Sequence, residues 1–138
     1  MITARNTVLV PVKTGVEDGF AVNAYDGATG GLIWSLATDY QLPSHNWTPP
    51  MGITLTSRDA SVVIPGAGGT VWIRSAPNSS RGTVTRSAFF NVGLYNQAPA
   101  AFNNAIQICT PITCDKSGNL DFGYLSSGAT IYALYPWN

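Results

Sequence analysis

The chain has 138 residues, enough for one domain with a sizeable core and too few for two ordinary domains. Seven Lys and Arg balance seven Asp and Glu, and only 10% of the residues are charged, which argues against a basic face for nucleic acid and against an acidic tail. No apolar run reaches the ~18 residues of a membrane helix. The opening MITARN is too polar for a signal peptide, so we expect any export signal to lie outside this sequence.

Residues 7 to 37 are predicted to form a first antiparallel meander. The segment NTVLVPVK alternates and places Val8, Val10 and Val12 on one face, as a half-buried strand does. Its predicted partners are GFAVNAYD and GLIWSLA, and a fourth strand is present only if MITAR supplies it. Between the last two strands, AYDGATGGLIW contains Asp, Thr and Gly, the residues that form tight turns.

A second meander of four strands follows the polar connection TDYQLPSHNWTPP. Its predicted strands are GITLTS, SVVIPG, TVWIRSA and TVTRSAFF, with turns at RDA, AGG and PNSSRG. GAGG is interpreted as a turn, because a phosphate-binding loop would need a following helix and a Lys. The four arginines between Arg58 and Arg86 are spread over separate strands and turns and are interpreted as solvated surface.

The last part of the chain is predicted to be a loop, NVGLYNQAPAAFNN, followed by the strands AIQICTPIT, NLDFGY and ATIYALY. Nothing in it suggests a helix-length period of 3.6 residues. The strand assignments together predict a set of core residues: Val8, Val10, Val22, Ala24, Ile33, Trp34, Val63, Val71, Ile73, Phe122, Ile131 and Ala133.

An internal repeat organises these strands. Ala24-Tyr25-Asp26 can be matched to Ala133-Leu134-Tyr135, 109 positions later, so that two intervals give units of about 54 residues. Repeats of about 40 to 50 residues with four strands are typical of propeller blades, and the loops here would account for the excess. The sequence therefore predicts an all-β fold, a single segment of antiparallel four-stranded meanders arranged as blades of an incomplete β-propeller, with units at about 1–48, 49–92 and 93–138.

The stretch DGATGGLIW fits D-x-x-T-G-x-x-x-W and resembles the blade-closing motif of the quinoprotein-like (PQQ-repeat) β-propellers. The resemblance implies that Asp26, Thr29 and Gly30 lock a turn. It implies also that Trp34 docks between neighbouring blades.

CDKSGNLDFGY is similar to the hairpin D-x-x-G-N-x-x-F-G between inner strands of the same blades. The positions that match are Asp115, Gly118, Asn119, Phe122 and Gly123. The second meander has APNSSRGTV where the first motif would recur, without its Asp and Trp, so its docking must differ.

The strands amount to about two and a half to three blades, whereas propellers close with about four to eight. We expect the chain to be a segment of a longer propeller, or to complete its ring with other copies of itself. No membrane span and no nucleic-acid partner are expected.

Two further sites are suggested by residue type. His45 and Trp47 lie in the longest irregular polar stretch and form a possible exposed loop site, although the favoured interpretation of His45 is an ordinary loop histidine. Cys109 and Cys114, in CTPITC, could form a disulfide helped by a bend at Pro111, or remain two half-buried thiols. Two Cys and one distant His do not supply the four ligands of a zinc site.

The motifs favour a non-catalytic propeller segment, a scaffold or a ligand- or partner-binding module of an exported or cell-surface protein. No G-x-S-x-G elbow is present, and no cofactor is predicted. The family resemblance leaves an alternative, a fragment of a quinoprotein dehydrogenase that oxidises alcohols or sugars with PQQ and calcium. A second alternative is a structural β domain of a larger assembly. For an exported protein the expected location is extracellular or periplasmic.

Overall fold

The first sheet is a three-stranded antiparallel meander in strand order. The computed structural model describes residues 1–16, 18–42 and 52–127. The strands of this sheet are β1 (Thr7–Lys13), β2 (Phe20–Asp26) and β3 (Leu32–Ala37). All three lie where the alternation of apolar residues predicts them.

The N-terminal residues extend this sheet on the free side of β1. Ile2 forms an antiparallel bridge with Val8, and the Leu9 amide donates to the Met1 carbonyl at 2.8 Å. The backbone N–H and C=O of Leu9 point away from β2, and in a strand those of Pro11, two residues later, point to the same side. The N–H that proline lacks would therefore lie on the outer edge of the sheet, where a strand tolerates proline.

The second sheet is a four-stranded antiparallel meander, again in strand order. Its strands are β4 (Thr54–Leu55), β5 (Ser61–Pro65), β6 (Thr70–Ser75) and β7 (Val84–Ala88). Short 3-10 turns, Ser57–Asp59 and Ala67–Gly69, join the first three strands. The second meander is present as predicted.

The third unit is one irregular hairpin. Its strands are β8 (Ile106–Ile108), β9 (Thr113–Cys114), β10 (Leu120–Asp121) and β11 (Tyr124–Ser126). β8 pairs with β11 and β9 with β10. Ile108 pairs with Tyr124, and the next pair is Thr113 with Asp121. The first arm of the hairpin advances five residues between these pairs and the second arm three, so the register shifts by two residues. The predicted strand ATIYALY, with Ile131 and Ala133, lies outside the described residues.

Two short helices replace the loop that was predicted before this hairpin. They are α1 (Val92–Gln97) and α2 (Pro99–Ala105). The Asn91 side chain caps α1 by accepting from the Gly93 amide at 2.7 Å, and proline stands at the start of α2. Helices of six and seven residues are too short to show a helical period in the sequence. Because such short helices are not stable by themselves, we infer that packing of the buried Tyr95 and Phe102 stabilises both.

The predicted core face of β1 was wrong. Leu9 is buried, whereas Val10 is 37% exposed and Val8 and Val12 are half-buried. Both faces of this strand carry apolar side chains, so alternation alone does not choose between them. Leu9 lies opposite Ala24, and both join the core cluster with Trp34, so the partners select the face.

The second sheet shares core clusters with both of the other units. On β5, Val62 and Ile64 pack towards the first sheet, and Val63 packs in a cluster with Phe20 of β2 and with Ile108 and Ile112 of the third unit. All three β5 residues are fully buried. The remaining predicted core residues lie in these clusters: Val22, Ala24, Trp34 and Val71 are buried, and Ile33, Ile73 and Phe122 are half-buried against them. The described residues thus form a mainly β fold of small antiparallel sheets, one of them a four-stranded meander, and no propeller is seen among them.

Candidate functional site

The turn between β2 and β3 is built around the Asp26 carboxylate. Its Oδ1 accepts from the amides of Ala28 at 3.0 Å and Thr29 at 2.8 Å, and from the Thr29 hydroxyl at 3.0 Å. Gly30 follows at φ +73°, a conformation that favours glycine. The hydrogen bonds from Thr29, backbone first, hold the pKa of Asp26 below its usual value.

Trp34 links the first sheet to the second. The indole Nε1 donates to the Pro77 carbonyl at 2.7 Å, and both residues are buried. The guanidinium of Arg74 lies over the indole ring, 3.8 Å from its centroid. Such a cation–π contact is stronger when it is shielded from water. The side chain that the motif predicted to dock therefore contacts the turn between β6 and β7 of the next sheet.

Arg74 is buried rather than solvated, contrary to the sequence interpretation. It is 4% exposed and donates to the carbonyls of Ser75, Ala76 and Ser79 at 3.1, 3.0 and 2.7 Å. Desolvation lowers the pKa of this guanidinium. This role could not be predicted from the residues alone, because the three acceptors are backbone atoms of a turn and Trp34 is 40 residues away in the chain.

A second carboxylate organises the β9–β10 hairpin. Asp115 Oδ1 accepts from the amides of Ser117 and Asn119, both at 2.8 Å, and Oδ2 accepts from the Asn119 side chain at 2.7 Å. Gly118 has φ +90°. These bonds, the Asn119 side chain first, lower the pKa of Asp115. Both carboxylate oxygens are thus engaged in the turn.

Phe122 and Gly123, the last two residues of the D-x-x-G-N-x-x-F-G motif, pack against the core and against the opposite arm of the hairpin. Phe122 is half-buried against the cluster around Val63. The Gly123 amide donates to Thr110 Oγ1 at 2.6 Å, and its carbonyl accepts from the Cys109 amide at 3.0 Å. A Cβ at Gly123 would lie 2.7 Å from Thr110 Cγ2, so the close approach requires glycine.

The two cysteines are both free and half-buried in the structure. They lie on the same arm of the hairpin, on either side of the register shift, with no bond between them. The disulfide that the sequence left open is therefore not formed here. His45 and Trp47, the possible exposed loop site, lie outside the described residues.

One charged cluster was missed in the sequence. Asp39, which follows β3, pairs with Arg86 of β7, and its Oδ1 accepts from the Ala67 amide at 3.1 Å. The Arg86 guanidinium lies 5.1 Å from the ring centroid of Trp72 and 5.2 Å from that of Tyr95. The pair is separated by 47 positions, which no local pattern reveals. Its visible effect is to hold the GAGG turn, since Ala67 begins that turn.

The described residues contain no group of three or more His, Cys, Asp or Glu that could hold a metal ion. Within the same residues, no helix has the length and apolar character needed to cross a membrane. The side-chain contacts described above stabilise turns and join neighbouring sheets.

Comparison with known proteins gives no family for the chain: no family model, no curated protein and no solved structure matches it.

Proposed function

We propose that the chain is a non-catalytic segment of a quinoprotein-like β-propeller, a scaffold or partner-binding module whose sheets are consecutive blades. The observation that carries the proposal is the contact of Trp34 with Pro77 and Arg74. It joins one antiparallel sheet to the next through the tryptophan of the blade motif.

The packing of the second sheet against the other two units supports the same proposal. Propeller blades are small antiparallel sheets that pack against their neighbours around a channel. Here the second sheet packs on both faces: Val62 and Ile64 lie in a cluster with the first sheet, and Val63 lies in a cluster with Phe20 of the first sheet and Ile108 of the third unit. The third unit would then be an inner hairpin of the next blade.

The turn carboxylates support a structural role over a catalytic one. Asp26 and Asp115 have pKa values lowered by hydrogen bonds within their own turns, whereas a general acid or base needs a pKa near the working pH. Their chemistry is that of turn formation.

The proposal implies further sheets, because three units are fewer than the four to eight blades of a closed ring. They would come from the remainder of a longer propeller or from other copies of the chain. Export to the cell surface, the periplasm or the extracellular space belongs to the proposal too.

The first test is an experimental structure of the chain. If the rotation that superposes the first sheet on the second shares its axis with the rotation from the second to the third unit, the units are blades. Rotations about unrelated axes would contradict the proposal and favour a structural β domain of a larger assembly.

The second test concerns catalysis. The purified chain is titrated with PQQ, with and without calcium, while tryptophan fluorescence and dye reduction in the presence of alcohols or sugars are followed. We expect no saturable quenching and no reduction of the dye. Calcium-dependent turnover would instead identify a dehydrogenase fragment.

A further inference from the structure

The edges of the first two sheets differ in how they are protected from pairing with another strand. Unpaired backbone groups along an edge can bind a further strand, so edge strands are commonly short or carry proline or charged residues. Of the four edge strands, β4 has two residues, β1 has Pro11 and the bridge from Ile2, and β7 has Arg86. β3 has the sequence LIWSLA, with no proline and no charge. A bulge at Ile33 interrupts its start, and residues 34–37 then pair regularly with β2.

The backbone of β3 presents hydrogen-bonding groups on its outer side at Ser35 and Ala37. The Thr38 amide donates to the Phe20 carbonyl of β2 at 2.9 Å. Because the direction of these groups alternates along an antiparallel strand, those of Leu36 also face β2, and those of Ser35 and Ala37 face away from it.

These outward groups are free within the part of the chain that the structure describes. No hydrogen bond there reaches the backbone N–H or C=O of Ser35 or Ala37, and both residues are exposed. A row of backbone donors and acceptors binds an extended chain, which adds to the sheet as a further strand. The partner that fits this edge is therefore a β-strand.

We propose that the partner is β3 of a second copy of this chain, paired antiparallel about a twofold axis at Leu36. In this register Ser35 of each copy lies opposite Ala37 of the other. Since the backbone groups of both residues point outward, each pair exchanges hydrogen bonds in both directions. Leu36 lies opposite its own equivalent in a non-hydrogen-bonded pair, the position at which side chains of neighbouring strands approach most closely.

The charge and apolar character of β3 favour a second copy as the occupant. No like charges oppose each other in this register, because the strand carries none. The formal net charge of the chain is zero, so no long-range repulsion keeps two copies apart. Leu36 is half-buried against the core of the first sheet, and contact with its equivalent removes further apolar surface from water.

The association is isologous, because both copies contribute the same strand, and it closes with two copies. It joins them edge to edge in one sheet with three strands from each. The inference goes beyond the proposed function and requires only the first sheet. The rotation axes that test the blade arrangement do not depend on it, so either proposal can fail while the other stands.

Light scattering behind a sizing column, over a range of protein concentrations, tests the association. The weight-average mass of the wild-type chain should rise with concentration from 14.6 kDa towards twice that value. Ser35→Pro removes an outward N–H that the described fold does not use, as Pro11 does on β1. This variant should stay at 14.6 kDa at every concentration at which the wild type dimerises.

Val84→Pro is the matched control, because it makes the same change on the outer edge of β7. The Ser75 amide donates to the Thr83 carbonyl across the β6–β7 ladder at 2.9 Å, so the backbone of Val84, one residue later, faces outward. The variant should dimerise as the wild type does. Loss of the dimer in a folded Val84→Pro would place the contact on β7 and overturn the proposal.

Disulfide trapping tests the register. With Cys109 and Cys114 replaced by serine, Leu36→Cys places two thiols at the twofold axis. Cα atoms of a non-hydrogen-bonded pair lie about 4.5 Å apart, within the range of about 4.4 to 6.8 Å that disulfides span. Mild oxidation should therefore give a covalent dimer on a non-reducing gel. Ser35→Cys in the same background should give little, because Ser35 lies opposite Ala37 and not opposite its own equivalent.

Three further results would overturn the proposal. They are a wild-type chain that stays at 14.6 kDa up to its solubility limit, a dimer that survives Ser35→Pro, and a covalent dimer from Ser35→Cys but not from Leu36→Cys. Near-UV circular dichroism verifies that each variant is folded. Ala37→Pro, which removes the other outward N–H, replaces Ser35→Pro if that variant does not fold.

Discussion

Trp34 and Pro77 are joined by a hydrogen bond of 2.7 Å from the indole nitrogen to the carbonyl oxygen, across the interface between the first and second sheets. The two residues are 43 positions apart. The Arg74 guanidinium lies over the same indole and donates to the carbonyls of Ala76 and Ser79, in the turn that contains Pro77. Trp34 of β3 therefore contacts both this turn and the arginine that binds it.

Removing the indole should be costly. For Trp34→Ala we expect a loss of about 3 to 5 kcal/mol in the free energy of unfolding, from lost burial and the cavity left behind. Urea denaturation measures it. Leu32→Ala, on the same strand but 59% exposed, is the control and should change stability little. Equal effects of the two variants would rule out the docking role.

Arg74 should not tolerate lysine. An ammonium cannot reproduce the planar fork that reaches three carbonyls and stacks on Trp34. We expect Arg74→Lys to lose about 1.5 to 3 kcal/mol of unfolding free energy, the range for hydrogen bonds to a charged group. Arg81→Lys, at an exposed position of the adjacent turn, should be near neutral. An unchanged urea midpoint for Arg74→Lys would contradict the buried role.

Acid should weaken the two Asp turns. Because the folded-state pKa values of Asp26 and Asp115 lie below the ordinary 3.8, their ionised forms stabilise the fold above that pH. This stabilisation is lost as the pH falls from about 4 through the folded-state values. The urea midpoint of the wild type should drop over this window more than that of Asp26→Asn/Asp115→Asn, and parallel profiles would sink the idea.

Two glycines with positive φ should differ in their response to alanine. Gly68 has φ +63°, and a Cβ there would lie 2.7 Å from Asn103 Oδ1 and 2.8 Å from Tyr95 Cε2. Gly118 has φ +90° with nothing within 4 Å. Gly118→Ala should lose about 1 to 2 kcal/mol from backbone strain alone. Gly68→Ala should lose more, which thermal or urea unfolding would show, and the reverse order would contradict the packing around the GAGG turn.

The cysteines should titrate as thiols. Ellman's reagent, added to the unfolded protein without reductant, should report two equivalents per chain, because Cys109 and Cys114 are both free. A result near zero that rises to two after reduction would show that the disulfide forms.

Local chemistry allowed both meanders to be predicted from the sequence. Alternation marked β1, and short apolar segments bounded by turn residues marked the other strands up to Ala37 and from Thr54 to Ala88. The turn at Asp26 could be predicted for the same kind of reason: its hydrogen bonds join residues within three positions of each other.

The tertiary structure decided what depends on residues far apart in the chain. β1 has apolar side chains on both faces, and Leu9 rather than Val10 is buried because Ala24 and Trp34 lie on its side. Arg74 was interpreted as a surface residue, but in the structure it is enclosed by turn carbonyls and by the indole of Trp34. The helices α1 and α2 are too short for a period and are stabilised by packing. Sequence patterns report spacing along the chain, whereas burial depends on which surfaces meet in space.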